Sequence, residues 1–148
     1  MFMNDWRTAI GESGEDLIRK ILRNKHNLVE ETVWYDPKKD GVVDSKPYEV
    51  KTLMENYAYK AFMLGSSQWN KCENVDRLFF VRIPEAKAPI RIYECSKSYR
   101  QPSAVFMNGD NCRAFKLTNL TLYDTIYDET LGNEWRSLTK TKYMRNKP

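Results

Sequence analysis

Two carboxylates and one ammonium group, from Asp40, Glu49 and Lys51, are the groups in this sequence with the most evident chemistry. Two carboxylates in contact repel each other by about 4 kcal/mol at an effective dielectric constant near 20, and a divalent cation offsets that repulsion. Oxygen ligands of this type suit Mg²⁺, which keeps several waters and also binds substrate phosphate. A lysine beside such a cation can orient a water molecule and stabilise charge on oxygen atoms. If the chain brings the three together, they predict a magnesium site for phosphodiester hydrolysis.

A β-hairpin over residues 40–51 would bring these side chains together. Residues 44–47, Asp-Ser-Lys-Pro, are typical of a turn, and the short runs on either side favour strands. With residues 45 and 46 at the tip, Asp40 lies opposite Lys51, and the charged side chains share one side of the hairpin. The other side carries Val43, Tyr48 and Val50, which suit a core. The alternative is a surface ion pair between Asp40 and Lys51, worth less than about 1 kcal/mol.

The apolar periodicity near the amino terminus predicts a helix over residues 5–24. Its stripe at helical spacing consists of Ile10, Gly14, Leu17, Ile18, Ile21 and Leu22, and Gly11 lies on the same stripe. Because glycine costs about 1 kcal/mol in a helix, the two glycines predict close contact with another element. Glu15 lies on this stripe, whereas Glu12 and Asp16 point further out. Either Glu15 joins the charged hairpin, or it is a glutamate at the edge of the stripe whose carboxylate reaches water.

The remaining chain predicts an α+β (α/β) domain with a central mixed sheet flanked by helices. Strand-like segments cover residues 28–35, 77–83 and 90–95, and a hairpin is centred on residues 108–111. A helix is predicted from Gln68 to about residue 74. Residues 52–65 suit a loop or a continued strand, and residues 120–135 suit a helix or an extended chain.

Composition limits the function classes. A chain of 148 residues with 41% hydrophobic and 30% charged residues suits one soluble domain. No apolar run approaches the roughly 18 residues of a membrane helix, and no secretory signal is visible, so we expect a cytoplasmic protein without a membrane partner. Three widely spaced cysteines and a single histidine argue against structural zinc and predict free thiols.

Basic and aromatic residues suggest how a nucleic acid could be held. The net charge is +4, and five basic residues but no acid follow Glu134. This basic segment, from about residue 135, could hold phosphates through Lys140 and Lys142, or it could be a solvated tail. Tyr59 and Lys60, which follow the hairpin, combine a stacking surface with a positive charge.

Together these residues resemble the PD-(D/E)XK nuclease superfamily, the restriction-endonuclease-like fold that includes Holliday-junction resolvases and phage exonucleases. The resemblance covers residues 10–95 and is carried by Gly-Glu-Ser-Gly-Glu15, Asp40, Glu49-Val-Lys51 and Ser-Gln-Trp-Asn-Lys71. It implies that Asp40 and Glu49 bind Mg²⁺, with the Val50 carbonyl as a further ligand and Mn²⁺ as a substitute. It also implies that Lys51 serves the attacking water. Glu15 corresponds to the acid that many members supply from the first helix, and Gln68 to a polar residue on the helix after the hairpin.

The sequence departs from the family pattern at one point. Lys39 rather than proline precedes Asp40, and Asp36-Pro37 occurs in the reverse order, so Asp36 is a rival for the metal-binding position. A second Glu-x-Lys, at residues 85–87, lies between prolines where no strand is expected. We therefore predict a magnesium-dependent deoxyribonuclease, an endonuclease rather than an exonuclease, that acts on DNA and could form a homodimer. The alternatives are a non-catalytic nucleic-acid-binding module and a protein-interaction domain of the same fold.

Overall fold

The structure, a computed structural model, describes residues 6–25, 29–31, 40–65, 68–69, 72, 75–99, 103–107 and 110–146, without the side chains of 29–31, 103–107, 110–111 and 140–146. The helices are α1 (Trp6–Lys25) and α2 (Glu129–Asn146). The strands are β1 (Val29–Glu31), β2 (Gly41–Val43), β3 (Lys46–Leu53), β4 (Ala61–Gly65), β5 (Arg77–Arg82), β6 (Ile90–Cys95), β7 (Ser103–Met107), β8 (Asp110–Lys116) and β9 (Thr121–Ile126). Residues 68, 69 and 72 are helical, and 3₁₀ turns cover Lys97–Tyr99 and Leu117–Asn119.

The strands form two sheets. The larger sheet has the order β1-β2-β3-β5-β6-β9, and the smaller one has the order β4-β8-β7. Only the β3–β5 pairing is parallel among the described pairs, so the larger sheet is mixed. The predicted fold class, an α+β domain built on a central mixed sheet, is confirmed.

The larger sheet lies between two different layers. On one face, α1 and Trp135 of α2 pack on Tyr48, Val50 and Phe79. On the other face, β4, β8 and the helical residues at 69 and 72 pack on Leu78 and Phe80. Strand β5 is buried on both faces, which explains why its apolar residues run continuously instead of alternating. Helices thus cover one face, and the small sheet covers the other.

Helix α1 docks through the predicted stripe. Its buried residues are Ile10, Gly14, Ile18, Ile21 and Leu22. A β-carbon at Gly14 would overlap the Thr52 side chain, so the close contact predicted for this glycine is present. The same prediction was wrong for Gly11, which has open space where a β-carbon would lie. Glu12 and Asp16 are exposed as expected.

The hairpin forms, but its predicted register was wrong. Val43 pairs with Lys46 and Gly41 with Tyr48, so Asp44 and Ser45 form the tip and Pro47 belongs to β3. Both tip residues have positive φ, 51° and 66°, as in the two-residue turn that matches the twist of a hairpin. The register differs from the prediction by two residues. Because two is the period of a strand, the division of side chains between the two faces is unchanged.

Most of the remaining predicted segments can be compared with the observed elements. The strands at 77–83 and 90–95 and the hairpin around 108–111 are confirmed by β5 to β8, although residues 108–109 lie outside the described residues. Of the strand predicted at 28–35, only 29–31 is described. Residues 52–65 become the end of β3, a turn and β4, and residues 120–135 become β9 and the start of α2. The three cysteines are free.

The basic segment belongs to α2. The first half of this helix packs into the core through Trp135, which is 1% exposed and donates a hydrogen bond from Nε1 to Ser13 Oγ at 3.0 Å. The side chains of Lys140 and Lys142 lie outside the described residues. Neither α1 nor α2 is apolar over a length that could cross a membrane, as far as their residues are described.

Candidate metal and catalytic site

Strand β3 is the element that positions the candidate site. It pairs with β2 on one side and β5 on the other, so its backbone is held near the middle of the large sheet. Tyr48 and Val50 point toward the helices, whereas Glu49 and Lys51 point the other way, on the face of Leu78 and Phe80. β3 continues to Leu53, past Tyr48, which pairs with the first residue of β2. The residue before β2, Asp40, therefore lies next to the second half of β3.

Asp40 is fixed at this level by two hydrogen bonds to β3. Its backbone N–H donates to Tyr48 O at 2.8 Å, and its Oδ2 accepts from Val50 N–H at 2.7 Å. These partners flank Glu49 in the chain, so Asp40 lies beside Glu49 and not opposite Lys51. Gly41 permits this arrangement, because a β-carbon there would overlap the Tyr48 ring.

Glu49 and Lys51 form a shielded ion pair. Lys51 Nζ lies 3.1 Å from Glu49 Oε2, and the two side chains are 15% and 6% exposed. The pair joins residues two apart on one strand, which share a face. The surface pair between Asp40 and Lys51, the alternative left open by the sequence, is not the pairing that Lys51 makes.

Glu15 reaches the same place from α1. The pKa of Glu15 is raised from 4.5 to about 8, chiefly by burial and also by the charge of Asp40, a hydrogen bond with the Asp40 carboxyl group and the charge of Glu49, whereas the charge of Arg19 lowers it. A hydrogen bond between two carboxyl groups requires a proton on one of them. Glu15 is therefore half-buried against Asp40 and holds a proton near neutral pH.

The cluster has more acid than base. Glu15, Asp40 and Glu49 contribute three carboxyl groups, the Lys51 ammonium pairs with Glu49, and the charge of Arg19 acts on Glu15. Burial first, and then the charges of Asp40 and Glu49, disfavour ionisation of Glu15 and raise its pKa. The positive charge of a divalent cation would reduce the repulsion between these carboxylates.

The donors fit a hard cation in chemistry and charge. All are oxygen atoms, the ligand type of Mg²⁺ and Mn²⁺. Across the described ranges, no three His, Cys, Asp or Glu side chains are spaced as a ready-made metal cage. The Glu15 proton, the Lys51 ammonium and the Arg19 guanidinium supply the positive charge around these carboxyl groups. A cation that takes that place would require the proton to leave and the side chains to close around it.

The other residues predicted for the site have less defined roles. Gln68 is exposed on its helical segment, and in the described part of the chain no hydrogen bond joins it to Lys51. Tyr59 and Lys60 are exposed on the turn after β3. Asp36, the rival of Asp40, lies outside the described residues. The role of the Val50 carbonyl stays a prediction.

One charged group near the end of β3 was missed. Arg82, at the end of β5, pairs with Glu55 through Nη2 and Oε1 at 2.9 Å, and the Tyr57 hydroxyl hydrogen-bonds to Arg82 and Glu85. Arg82 follows a buried apolar run in the strand parallel to β3, and parallel strands end at the same edge of a sheet. Pairing β3 with β5 would have pointed to it, but the sequence does not reveal that pairing.

Comparisons of this chain with protein-family models, with curated proteins and with solved structures found no match. The function is therefore inferred from the geometry and charge of the residues themselves.

Proposed function

We propose that this protein is a divalent-metal-dependent deoxyribonuclease of the PD-(D/E)XK kind. The observation that carries the proposal is the meeting of Glu15, Asp40 and Glu49 beside the shielded Lys51 ammonium. Two elements distant in sequence supply these side chains: α1 carries Glu15, and the β2–β3 hairpin with the residue before it carries the others. Partly buried carboxyl groups that outnumber the nearby bases lower the stability of a fold. A cluster of this kind therefore favours a role in binding or catalysis.

Each residue has a role that its position supports. Asp40 and Glu49 would hold Mg²⁺ or Mn²⁺, with Glu15 and the Val50 carbonyl as further oxygen donors. The bound cation would supply charge stabilisation at the phosphate and a water of lowered pKa. Lys51, fixed by Glu49 at 3.1 Å, would hold the attacking water by donating a hydrogen bond and would stabilise charge on the phosphate oxygens.

The substrate would be held outside this centre. Tyr59 and Lys60 on the exposed turn, Gln68 on its helical segment, and Lys140 and Lys142 of the basic segment are the proposed contacts to DNA. Contacts of this type neutralise phosphates and carry no sequence information by themselves. One site per chain cuts one strand at a time, so cleavage of both strands of a duplex would use either two binding events or a homodimer.

The test is cleavage by wild type and by two site variants. Linear duplex, single-stranded and branched DNA are incubated with Mg²⁺ and, separately, with EDTA. We expect Glu49→Ala and Lys51→Ala to lower the single-turnover rate by about 10²- to 10³-fold, the usual effect of losing one transition-state donor. Lys97→Ala is the matched control, since Lys97 is an exposed lysine paired with Asp76 at the opposite end of β5.

Two outcomes would contradict the proposal. The first is equal cleavage by wild type and both site variants, provided that circular dichroism shows all of them folded. The second is salt-sensitive DNA binding without Mg²⁺-dependent cleavage, which favours a non-catalytic nucleic-acid-binding module instead.

A further inference from the structure

Two aromatic side chains are exposed on one turn beside the candidate site. Tyr57 is 51% exposed and Tyr59 is 41% exposed, and both lie on the turn from Asn56 to Ala61 that connects β3 to β4. Lys60 follows them, is exposed, and has a positive φ of 51°. Aromatic rings beside a cation are the combination that binds unpaired bases and their phosphates.

This turn, residues 56–61, is held in one conformation by backbone hydrogen bonds. Asn56 N–H donates to Ala61 O at 2.8 Å, and Ala61 N–H donates back to Asn56 O at 3.3 Å. The Asn56 side chain accepts from Tyr59 N–H at 3.2 Å, and Lys60 O accepts from Leu117 N–H at 3.2 Å. A ligand that stacks on these tyrosines therefore loses little entropy in ordering the turn.

The turn is also tied to the end of the large sheet. Glu55 pairs with Arg82 at 2.9 Å, and Ile83 N–H donates to Leu53 O at 2.9 Å. The Tyr57 hydroxyl hydrogen-bonds to Arg82 and Glu85, which leaves much of its ring exposed. Asn56, where the turn begins, is five residues after Lys51, so at the rise of a strand it lies at most about 17 Å from Lys51.

Three basic residues lie diagonally across three neighbouring strands of the sheet. Arg82 pairs with Leu53 of β3 and with Arg91 of β6, and Lys51 pairs with Phe80, two residues before Arg82. Paired residues share a face, so Lys51, Arg82 and Arg91 lie on one face across three strands. Glu55 neutralises Arg82. Arg91 is half-buried and has no ion pair within the described residues, so its charge is available to a phosphate.

We propose that the turn at 56–61 and Arg91 form a binding surface for single-stranded DNA that leads away from the candidate site. Bases stack on Tyr57 and Tyr59, and Lys60 and Arg91 hold phosphates. In a duplex the faces of the bases are covered by their neighbours, so this surface selects single strands, or duplexes with single-stranded extensions, over blunt duplexes. The inference rests on the proposed function, because it names the substrate class of the same site.

The experiment measures binding without cleavage, by fluorescence anisotropy in EDTA with a labelled single-stranded 20-mer and the blunt duplex of the same sequence. We expect tighter binding to the single strand. The double variant Tyr57→Ala/Tyr59→Ala loses at least about 5-fold, and up to about 150-fold per base, in single-strand affinity, with little change for the duplex. Tyr57→Phe/Tyr59→Phe keeps the rings and retains binding. Tyr127→Ala, at an 85% exposed tyrosine, is the matched control.

A second variant tests the phosphate contact. For the single strand, the plot of log affinity against log salt concentration has a negative slope. Arg91→Ala makes this slope less steep by about 0.7, the value for one lost phosphate contact. Unchanged single-strand affinity in the Tyr→Ala double variant, or equal losses on single strand and duplex, overturns the inference. Because the tyrosines are exposed, a thermal unfolding curve suffices to show that this variant is folded.

Failure of this inference is distinguishable from failure of the proposed function. Single-strand binding that needs the tyrosines, in a protein that cuts no DNA with Mg²⁺, supports the surface and contradicts the nuclease. Cleavage that needs Lys51, with single-strand affinity indifferent to the tyrosines, supports the nuclease and contradicts the surface.

Discussion

Two partly buried charge clusters on the same sheet differ in their balance of charge. Across β5 and β6, Arg77 donates from Nε and Nη2 to the two carboxylate oxygens of Glu94, at 2.7 and 2.9 Å. The guanidinium also lies 5.0 Å from the centre of the Phe79 ring and 5.5 Å from that of Tyr123. One acid meets one base in a bidentate pair, and the surrounding rings complete the contact.

Around β3 the balance is different. Glu15 hydrogen-bonds with Asp40, Glu49 pairs with the Lys51 ammonium, and the charge of Arg19 also acts on Glu15. The pKa of Arg77 is raised, chiefly by its hydrogen bond with Glu94, and that shift favours the charged form of a base. The pKa of Glu15 is also raised, but this shift disfavours the charged form of an acid. The same direction therefore reflects a satisfied ion pair in one cluster and, in the other, a buried acid close to two further carboxyl groups.

Breaking the satisfied pair should cost the most stability. Glu94→Gln removes the carboxylate charge that two Arg77 hydrogen bonds use, and we expect a loss of about 1–3 kcal/mol in the free energy of unfolding. The two side chains are 20% and 25% exposed, which places the expected loss below that for a fully buried pair. Urea denaturation measures it. DNA cleavage by the folded variant should equal that of wild type, because the pair has only a structural role. A large loss of cleavage would contradict the separation of a structural cluster from a catalytic one.

The excess of acid should be visible in how stability depends on pH. Glu15 has a pKa of about 8 in the folded protein and an ordinary value of 4.5, so its stabilising contribution is complete below pH 4.5. That contribution is lost as the pH rises through 8, because the folded state then has to accept the charge. In EDTA, wild type should lose thermal stability between pH 5 and 8.5 relative to Glu15→Gln, which keeps a neutral hydrogen-bonding side chain. Parallel melting-temperature profiles for the two proteins would contradict the account.

Local pattern was sufficient to predict on which face most residues of the candidate site lie. The helical stripe put Glu15 on the buried side of α1, and strand alternation separated Glu49 and Lys51 from Tyr48 and Val50. These periodicities depend on backbone geometry alone, so they hold even when pairing is misjudged. The two-residue register error did not change them.

The errors came from features that local pattern does not encode. Pro47 suggested a turn, yet it lies near the start of β3, where its missing N–H is tolerated and its carbonyl accepts from Asp76 N–H at 3.0 Å. The small sheet pairs β4 with β8, about fifty residues further along the chain, and pairings over that separation leave no local signature. The parallel pairing of β3 with β5 was hidden for the same reason, and with it the position of Arg82.

The central claim, that the excess of acid around β3 is a divalent-cation site, is tested most directly by cation-dependent stability. Thermal unfolding is followed at constant ionic strength with increasing Mg²⁺ or Mn²⁺ for wild type, Asp40→Asn, Glu49→Gln and the control Glu94→Gln. A cation that binds only the folded state stabilises it by about 1.4 kcal/mol at ten times its dissociation constant. We predict this gain in wild type and Glu94→Gln and its loss in the other two variants. Equal stabilisation of all four proteins, or none in wild type, would contradict the account.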